Sequence, residues 1–230
     1  MQENPSKAAA ESKTHGNGQD DASHATGRTP ACGVSDATGR TPACGVSPTV
    51  ATILEHNAAF VASKGYERYQ TDKYPEKKLA IVSCMDTRLT ELLLAALGLK
   101  NGDAKIIKVA GAEVAHPFGS VMRSLLIAVC ELGVEDVMVV AHTNCGAQHM
   151  SGEEMVHDMR RLGVSDERIS FARHCGIDFD RWLAGFGDTE ESVRRSVDVV
   201  RNHPVMPPHV RISGFVMDSV TGKLVQVACP

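Results

Sequence analysis

Short apolar runs alternate with helical patterns between residues 79 and 141, and this alternation limits the possible folds more than any other feature. Leu79 to Ser83, Lys105 to Val109 and Asp136 to Ala141 are typical of strands buried on both faces. Leu89 to Leu97 and Ser120 to Leu132 lie between them and carry apolar residues at helical spacing. Strand, helix, strand, helix, strand predicts right-handed crossovers and a parallel sheet covered by helices on both faces.

The remaining patterns complete an α/β fold. Further helices are predicted at Thr49 to Ser63, Glu153 to Leu162 and Thr189 to Asn202. Val210 to Met217 and Lys223 to Val227 flank Thr221-Gly222, which predicts a terminal hairpin. We therefore expect a mostly parallel central sheet flanked by helices, with an antiparallel C-terminal hairpin.

Residues 1–48 differ from the rest of the chain in composition. They contain almost no large apolar side chains, so they cannot bury enough surface to offset the entropy of ordering, and we predict a disordered tail. An eleven-residue sequence starting at Ala25 recurs at Ala37, and each copy carries one cysteine, Cys32 and Cys44. We interpret it as a duplicated linker with two exposed thiols, because no nearby residues complete a tetrahedral zinc site. Residues 49–230 are predicted to form the folded domain.

Composition excludes several classes of function. The net charge of −4 and the aromatic content of 4% argue against a nucleic-acid partner, which needs a basic face or stacking platforms. No apolar stretch reaches the roughly 18 residues of a membrane span. The N-terminal residues lack the apolar core of a secretory signal and include acids that transit peptides avoid, so we expect a cytoplasmic protein. In a reducing compartment, clustered cysteine and histidine residues indicate metal ligands or reactive thiols.

Two motifs follow predicted parallel strands directly. Cys84-Met-Asp-Thr-Arg88 follows the Leu79 strand, and His142-Thr-Asn-Cys-Gly146 follows the Asp136 strand. Because open α/β sheets place their sites at the carboxyl ends of strands, neighbouring strands would bring Cys84, His142 and Cys145 together. Two cysteines and one histidine form a zinc set that leaves one position open for catalysis. The alternative is that each is an ordinary buried side chain, which the accompanying Asp86 and Arg88 disfavour.

Together with the Ala110-Gly111 turn, these motifs resemble the signature of the β-carbonic anhydrases, specifically their compact archaeal and bacterial branch. The resemblance runs from about residue 50 to 228 and includes Arg201-Asn-His-Pro204. It implies zinc on Cys84, His142 and Cys145, and reversible hydration of carbon dioxide to bicarbonate by hydroxide formed at that zinc. It also implies Asp86 and Arg88 as a catalytic dyad, and a homodimer or higher homo-oligomer in which the Thr49 to Ser63 helix packs across a partner subunit.

Asp86 has two possible positions in such a site. Paired with Arg88, its carboxylate can orient hydroxide towards carbon dioxide; on the zinc, it becomes a fourth ligand and excludes water. Two thiolates cancel the charge of the metal, so we expect hydroxide to form at a higher pH than with three histidines, and the rate to rise into the alkaline range.

Val109, Gly111 and Ala112 are the candidates for lining the substrate pocket, with ordinary strand-end packing as the alternative. Val109 and Ala112 stand where similar proteins commonly have asparagine, which leaves substrate and rate open. Two other functions therefore remain: hydrolysis of a related heterocumulene, carbonyl sulfide or carbon disulfide, and a catalytically weak zinc-binding scaffold.

Overall fold

The computed structural model describes residues 47–230, so nearly all of the predicted disordered tail and its repeated cysteines lie outside the described residues. The described residues fall into two units, divided between Ser63 and Lys64. The described part of the first unit is helix α1, Pro48–Ala62, which begins where the Ser47 side chain accepts a hydrogen bond from the Val50 amide. The helix predicted at Thr49 to Ser63 is thus confirmed, although none of its residues is buried.

The second unit is built on a five-stranded sheet in the order β2-β1-β3-β4-β5. The first four strands are parallel, and β4 pairs with β5 in the antiparallel sense. The predicted fold class is therefore confirmed, including the C-terminal hairpin. The strands are β1, Leu79–Cys84; β2, Ala104–Val109; β3, Asp136–His142; β4, Arg211–Met217; and β5, Leu224–Ala228.

Helices cover both faces of this sheet. Alternate residues of β1 point to opposite faces: Ile81 packs with Leu89 and Leu93 of α2, whereas Val82 belongs to the larger core shared with α3 and α7. Both faces are apolar, which explains why the strands read as continuous apolar runs. The helices of this core are α2, Leu89–Ala96; α3, Ser120–Cys130; and α7, Thr189–Arg201.

Three further helices form a lobe with its own apolar cluster around Val156, Ile169 and Phe179. Helix α4, Gly152–Arg161, matches the predicted pattern, but α5, Asp166–His174, and α6, Phe179–Trp182, were not predicted. Each of these two helices buries a single residue, so no apolar periodicity marks them in the sequence. Short 3₁₀ turns lie at Glu67–Tyr69 and Ala110–Ala112. Within residues 47–230, no helix is both long enough and apolar enough to cross a membrane.

The strand order brings the two sequence motifs together. The chain moves from β1 outwards to β2, and then returns to the other side of β1 to form β3. This reversal opens a crevice beyond the carboxyl ends of β1 and β3, where α/β sheets bind their ligands. Cys84 is the last residue of β1 and His142 is the last residue of β3, so both lie at this crevice.

Candidate metal centre

Two thiols and one imidazole converge beyond the ends of β1 and β3. Cys84, His142 and Cys145 are all buried, and their ligand atoms lie within 4.8 Å of one another. The two sulfur atoms are 3.7 Å apart. All five described cysteines are free, so neither thiol of this pair is used in a disulfide. The structure thus assembles the three ligands that the motifs predicted.

The hydrogen bonding of His142 fixes which ring nitrogen can bind a metal. Its Nδ1 lies 2.9 Å from the carbonyl oxygen of Thr143. Since a carbonyl oxygen can only accept, Nδ1 carries the proton and Nε2 has a free lone pair. Nε2 is fully buried and has no hydrogen-bond partner among residues 47–230. An unpartnered lone pair beside two thiols fits a metal ion, and this donor set is one that zinc uses.

The two thiols differ in acidity. Burial raises the pKa of the Cys84 thiol, but the neighbouring His142 imidazole and the backbone of Asp86 and Gly111 outweigh it and hold that pKa at about 7. Burial raises the pKa of the Cys145 thiol, and the neighbouring Cys84 sulfur raises it further. A cation between the two sulfurs would favour both thiolates, because metal ligation requires deprotonated cysteine.

Asp86 and Arg88 form a two-pronged ion pair beside the three ligands. Nε and Nη2 of Arg88 donate to the two carboxylate oxygens of Asp86 at 2.9 and 2.8 Å. The Arg88 side chain thereby holds the pKa of the Asp86 carboxyl well below its usual range, helped by the Arg88 backbone amide. Asp86 Oδ2 is also 3.8 Å from Nε2 of His142. An ionised carboxylate therefore faces the place where the three ligands meet.

The predicted pocket residues lie in a tight turn against the ligands. Val109 pairs with Cys84 across β1 and β2, and Gly111 and Ala112 follow it as buried residues. Gly111 and Ala112 have positive φ angles of 65° and 59°. A Cβ atom on Gly111 would come within 2.9 Å of Cε1 of Phe186, so glycine is needed here for close approach as well as for conformation.

The structure adds several contacts around Arg88 and Gly111 that the motifs did not reveal. Asn144 contributes its backbone carbonyl, and Ser219 its hydroxyl, to the guanidinium of Arg88. Phe186 is buried against Gly111 in the core that contains both ligand cysteines. Ser219 follows β4 by two residues, so its place at the end of the sheet follows from the pairing of β4 with β3. Strand pairing of that kind is the signal that could have identified it.

Comparison with known proteins assigns the family. Residues 79–224 match the sequence pattern of carbonic anhydrases. A Bacillus subtilis protein, YtiB, named as a candidate carbonic anhydrase, is 51% identical over 172 residues, which cover 75% of this chain and 92% of that protein. The chain belongs to the β-carbonic anhydrase family. The enzyme class expected from the sequence, carbonic anhydrase, is confirmed with it, and the Cys-His-Cys triad agrees with the zinc site of β-carbonic anhydrases.

A solved β-carbonic anhydrase has the same fold. The isoform I enzyme of Trichomonas vaginalis superposes with a TM-score of 0.72 at 31% identity, over 80% of this chain and 99% of that one. A carbon disulfide hydrolase from Acidithiobacillus thiooxidans is more distant, at 28% identity over 64% of this chain and 76% of that protein. The family match thus extends from the start of β1 to the first residue of β5 and includes the crevice.

Proposed function

We propose that this β-carbonic anhydrase hydrates carbon dioxide reversibly with Cys84, His142 and Cys145 as zinc ligands and Asp86 and Arg88 as its catalytic dyad. The observation that carries the proposal is the ionised Asp86 carboxylate, paired with Arg88 and 3.8 Å from the free Nε2 of His142. Zinc held by these ligands would supply a Lewis acid that lowers the pKa of a water molecule. All other steps are performed by side chains of the chain itself.

Asp86 acts as a hydrogen-bond acceptor. As an ionised carboxylate it can accept but not donate, so it orients the nucleophile with a lone pair turned towards carbon dioxide. Arg88 keeps Asp86 in this role because it engages both carboxylate oxygens and fixes their direction. If Arg88 released it, the carboxylate could instead approach the three ligands and become a fourth one.

Apolar residues close to the metal centre suit carbon dioxide as the substrate. Carbon dioxide is small and uncharged, so its pocket needs apolar walls and little space. Val109, Gly111 and Ala112 are proposed as those walls. Val109 and Ala112 lie in the same apolar core as Cys84 and Cys145, and Gly111 between them is buried, which supports this. Bicarbonate, the charged product, would leave past the exposed guanidinium of Arg88.

A stopped-flow assay of carbon dioxide hydration tests the proposal. The zinc-loaded protein should hydrate carbon dioxide, the chelated protein should not, and zinc should restore the rate. A zinc-loaded protein without activity would identify a scaffold and overturn the proposal. Carbon disulfide offered in parallel tests the heterocumulene alternative: preferential turnover of that substrate would show that the β-carbonic anhydrase site has been redirected.

We also propose that the protein is a homodimer in which α1 covers a partner subunit. The apolar side chains Val50, Ile53, Leu54 and Val61 of α1 are exposed, which supports this, since exposed apolar stripes mark interaction surfaces. Sedimentation should show a dimer that Ile53→Asp dissociates. Leu162→Asp, at an exposed leucine on the α4 to α6 lobe, is the matched control and should leave the dimer intact. A stable active monomer of the unmodified chain would contradict the proposal.

A cytoplasmic location is proposed as well. The free state of all five described cysteines supports it, because thiols persist in reducing compartments. Fractionation of cells that express the full chain would test this location, and recovery outside the cytoplasm would refute it.

A further inference from the structure

Ser219 lies where the ends of three neighbouring strands meet. It follows β4, whose last residue, Met217, pairs in register with His142 of β3. Only 5% of Ser219 is exposed, although it stands in a turn. Its hydroxyl is 3.4 Å from Nη1 of Arg88 and 3.3 Å from Oγ1 of Thr143. The buried Ser219 hydroxyl therefore lies between the guanidinium of Arg88 and Thr143, the residue that follows His142.

The guanidinium of Arg88 has a partner for each of its three nitrogens. Nε and Nη2 bind Asp86, and Nη2 also donates to the carbonyl oxygen of Asn144 at 2.8 Å. Among residues 47–230, Ser219 is the one partner of Nη1 by hydrogen bonding. Arg88 is therefore held from both sides: by the loop after β3 on one nitrogen, and by the turn after β4 on another.

Thr143 connects Ser219 to the metal ligand His142. The Ser219 amide donates to Oγ1 of Thr143 at 3.0 Å, and the Thr143 amide donates to the carbonyl oxygen of Met217 at 3.0 Å. The Thr143 carbonyl in turn accepts the proton on Nδ1 of His142. One hydrogen-bonded chain thus joins the ring of His142 to the guanidinium of Arg88, and Ser219 is its central link.

We propose that Ser219 is a positioning residue that locks Arg88 onto Asp86 and thereby keeps the Asp86 carboxylate away from the metal. This inference rests on the proposed function, because it assigns a device that holds the dyad in its working arrangement. Hydrogen bonds to charged groups are stronger than those between neutral ones, so loss of one bond loosens the guanidinium. With a looser guanidinium, the Asp86 carboxylate would turn more often towards Cys84, His142 and Cys145, and would there compete with other ligands of a metal ion held by these residues.

Cobalt(II) in place of zinc reports this directly, because its visible spectrum changes when thiocyanate enters an open coordination position. Ser219→Ala should raise the thiocyanate concentration for half the spectral change about tenfold, as expected for one hydrogen bond to a charged group. Ser219→Thr keeps the hydroxyl and should restore tighter thiocyanate binding. Thr143→Val removes the hydroxyl that anchors Ser219 at nearly constant volume, and should give a shift in the same direction.

Ser196→Ala is the matched control. Ser196 is also a buried serine, and its hydroxyl accepts a hydrogen bond from the Val114 amide at 3.1 Å rather than from Arg88. This variant loses a comparable bond but should bind thiocyanate like the unmodified protein. The proposal is overturned if Ser219→Ala titrates like the unmodified protein, or if Ser196→Ala shifts as far.

The cobalt titration separates this proposal from the proposed function. Thiocyanate binding reports access to the metal and requires no turnover of carbon dioxide. If the zinc protein failed to hydrate carbon dioxide while Ser219→Ala still shifted the titration, the proposed function would fail and the role of Ser219 would stand. Normal carbon dioxide hydration with an unshifted titration would overturn the role of Ser219 and leave the proposed function standing.

Discussion

Two arginine–aspartate pairs in this chain use the same atoms in different surroundings. Nε of Arg88 donates to Asp86 at 2.9 Å, and Nε of Arg211 donates to Asp136 at 2.6 Å; each pair is closed by a second bond from Nη2. Arg211 pairs at the start of β3 and β4, whereas Arg88 pairs at the end where the metal ligands meet. Position on the sheet, rather than pair geometry, makes one of them a catalytic candidate.

Arg88→Ala should lower kcat/KM for carbon dioxide hydration by about 100-fold, as expected when a preorganised electrostatic contact is removed. Freed Asp86 would lose its fixed direction and approach the metal ligands. Arg211→Ala is the matched control and should leave kcat/KM within about twofold, because exposed ion pairs contribute little. Stopped-flow measurement of kcat/KM for both variants tests this expectation. Near-normal turnover by Arg88→Ala would show that Asp86 and Arg88 do not act as a catalytic dyad.

The acidity of the two ligand thiols predicts how zinc affinity depends on pH. When the pH is below the pKa of a ligand thiol, zinc must displace the thiol proton to bind. The affinity for zinc therefore rises as the pH rises. The pKa of Cys145 is raised by burial, so this thiol alone should tighten zinc binding about tenfold per pH unit between about pH 6 and about pH 8. Cys84, with a pKa of about 7, adds to the slope in the lower half of that range.

Chelator competition at several pH values measures this slope. Cys145→Ser should remove high-affinity binding at every pH, whereas Cys130→Ser, at an exposed thiol outside the site, should reproduce the unmodified slope. An affinity that stayed flat over the range would show that the thiols are not the ligands.

At the scale of elements, the Ala110–Ala112 turn shows what close packing demands of a local sequence. Two successive residues adopt positive φ there, and the ring of Phe186 lies against Gly111. Conformations of this kind persist when the surrounding structure holds them in place. The turn begins directly after β2, beside Cys84 at the end of β1, so its shape is tied to the metal centre.

Gly111→Ala should destabilise the fold more than Gly98→Ala does. The two glycines have nearly equal φ angles, 65° and 64°, but a Cβ on Gly98 would meet no atom within 4 Å. Both variants incur a backbone cost of about 1–2 kcal/mol. Gly111→Ala adds contact with Phe186, so its free energy of unfolding should be lower by a further ~1–3 kcal/mol. Urea denaturation of both proteins measures the difference, and equal losses would contradict the contact.

At the scale of the whole molecule, a metal at this site would join strands that hydrogen bonds already align. Cys84 ends β1, His142 ends β3 and Cys145 follows it closely, and the two strands are neighbours in the sheet. A cation shared between them would bind the folded chain and not the unfolded one. At zinc concentrations well above Kd, such binding adds stability in proportion to the logarithm of the ratio of zinc concentration to Kd.

Removal of zinc should therefore lower Tm by about 10 °C, when the zinc concentration is about a thousandfold above Kd. Calorimetry with and without a chelator measures the change. Cys84→Ser should abolish the difference between the two conditions, and Cys175→Ser, at an exposed thiol, should preserve it. Equal Tm values for the zinc-loaded and chelated protein would contradict the assignment of these ligands.

The sequence by itself determined the α/β class and the strands, and it indicated the three residues proposed as ligands, because each leaves a local trace. A strand buried on both faces reads as an apolar run, and a ligand at its end stands directly beside that run, as Cys84 and His142 do. Helices α5 and α6 left no such trace, since each buries a single residue. Their contribution to packing depends on contacts made within the lobe.

Only the tertiary structure decided which residues lie beside Arg88 and Gly111. Ser219 is 131 positions from Arg88 along the chain, and it reaches the guanidinium because β4 lies beside β3. Phe186 lies against Gly111 for the same kind of reason, through loops whose course the sequence pattern does not specify. Residue types and their spacing indicate the candidate ligands. The contacts of Ser219 and Phe186 depend instead on the order of the strands and the course of the loops, since only folding brings distant segments to one crevice.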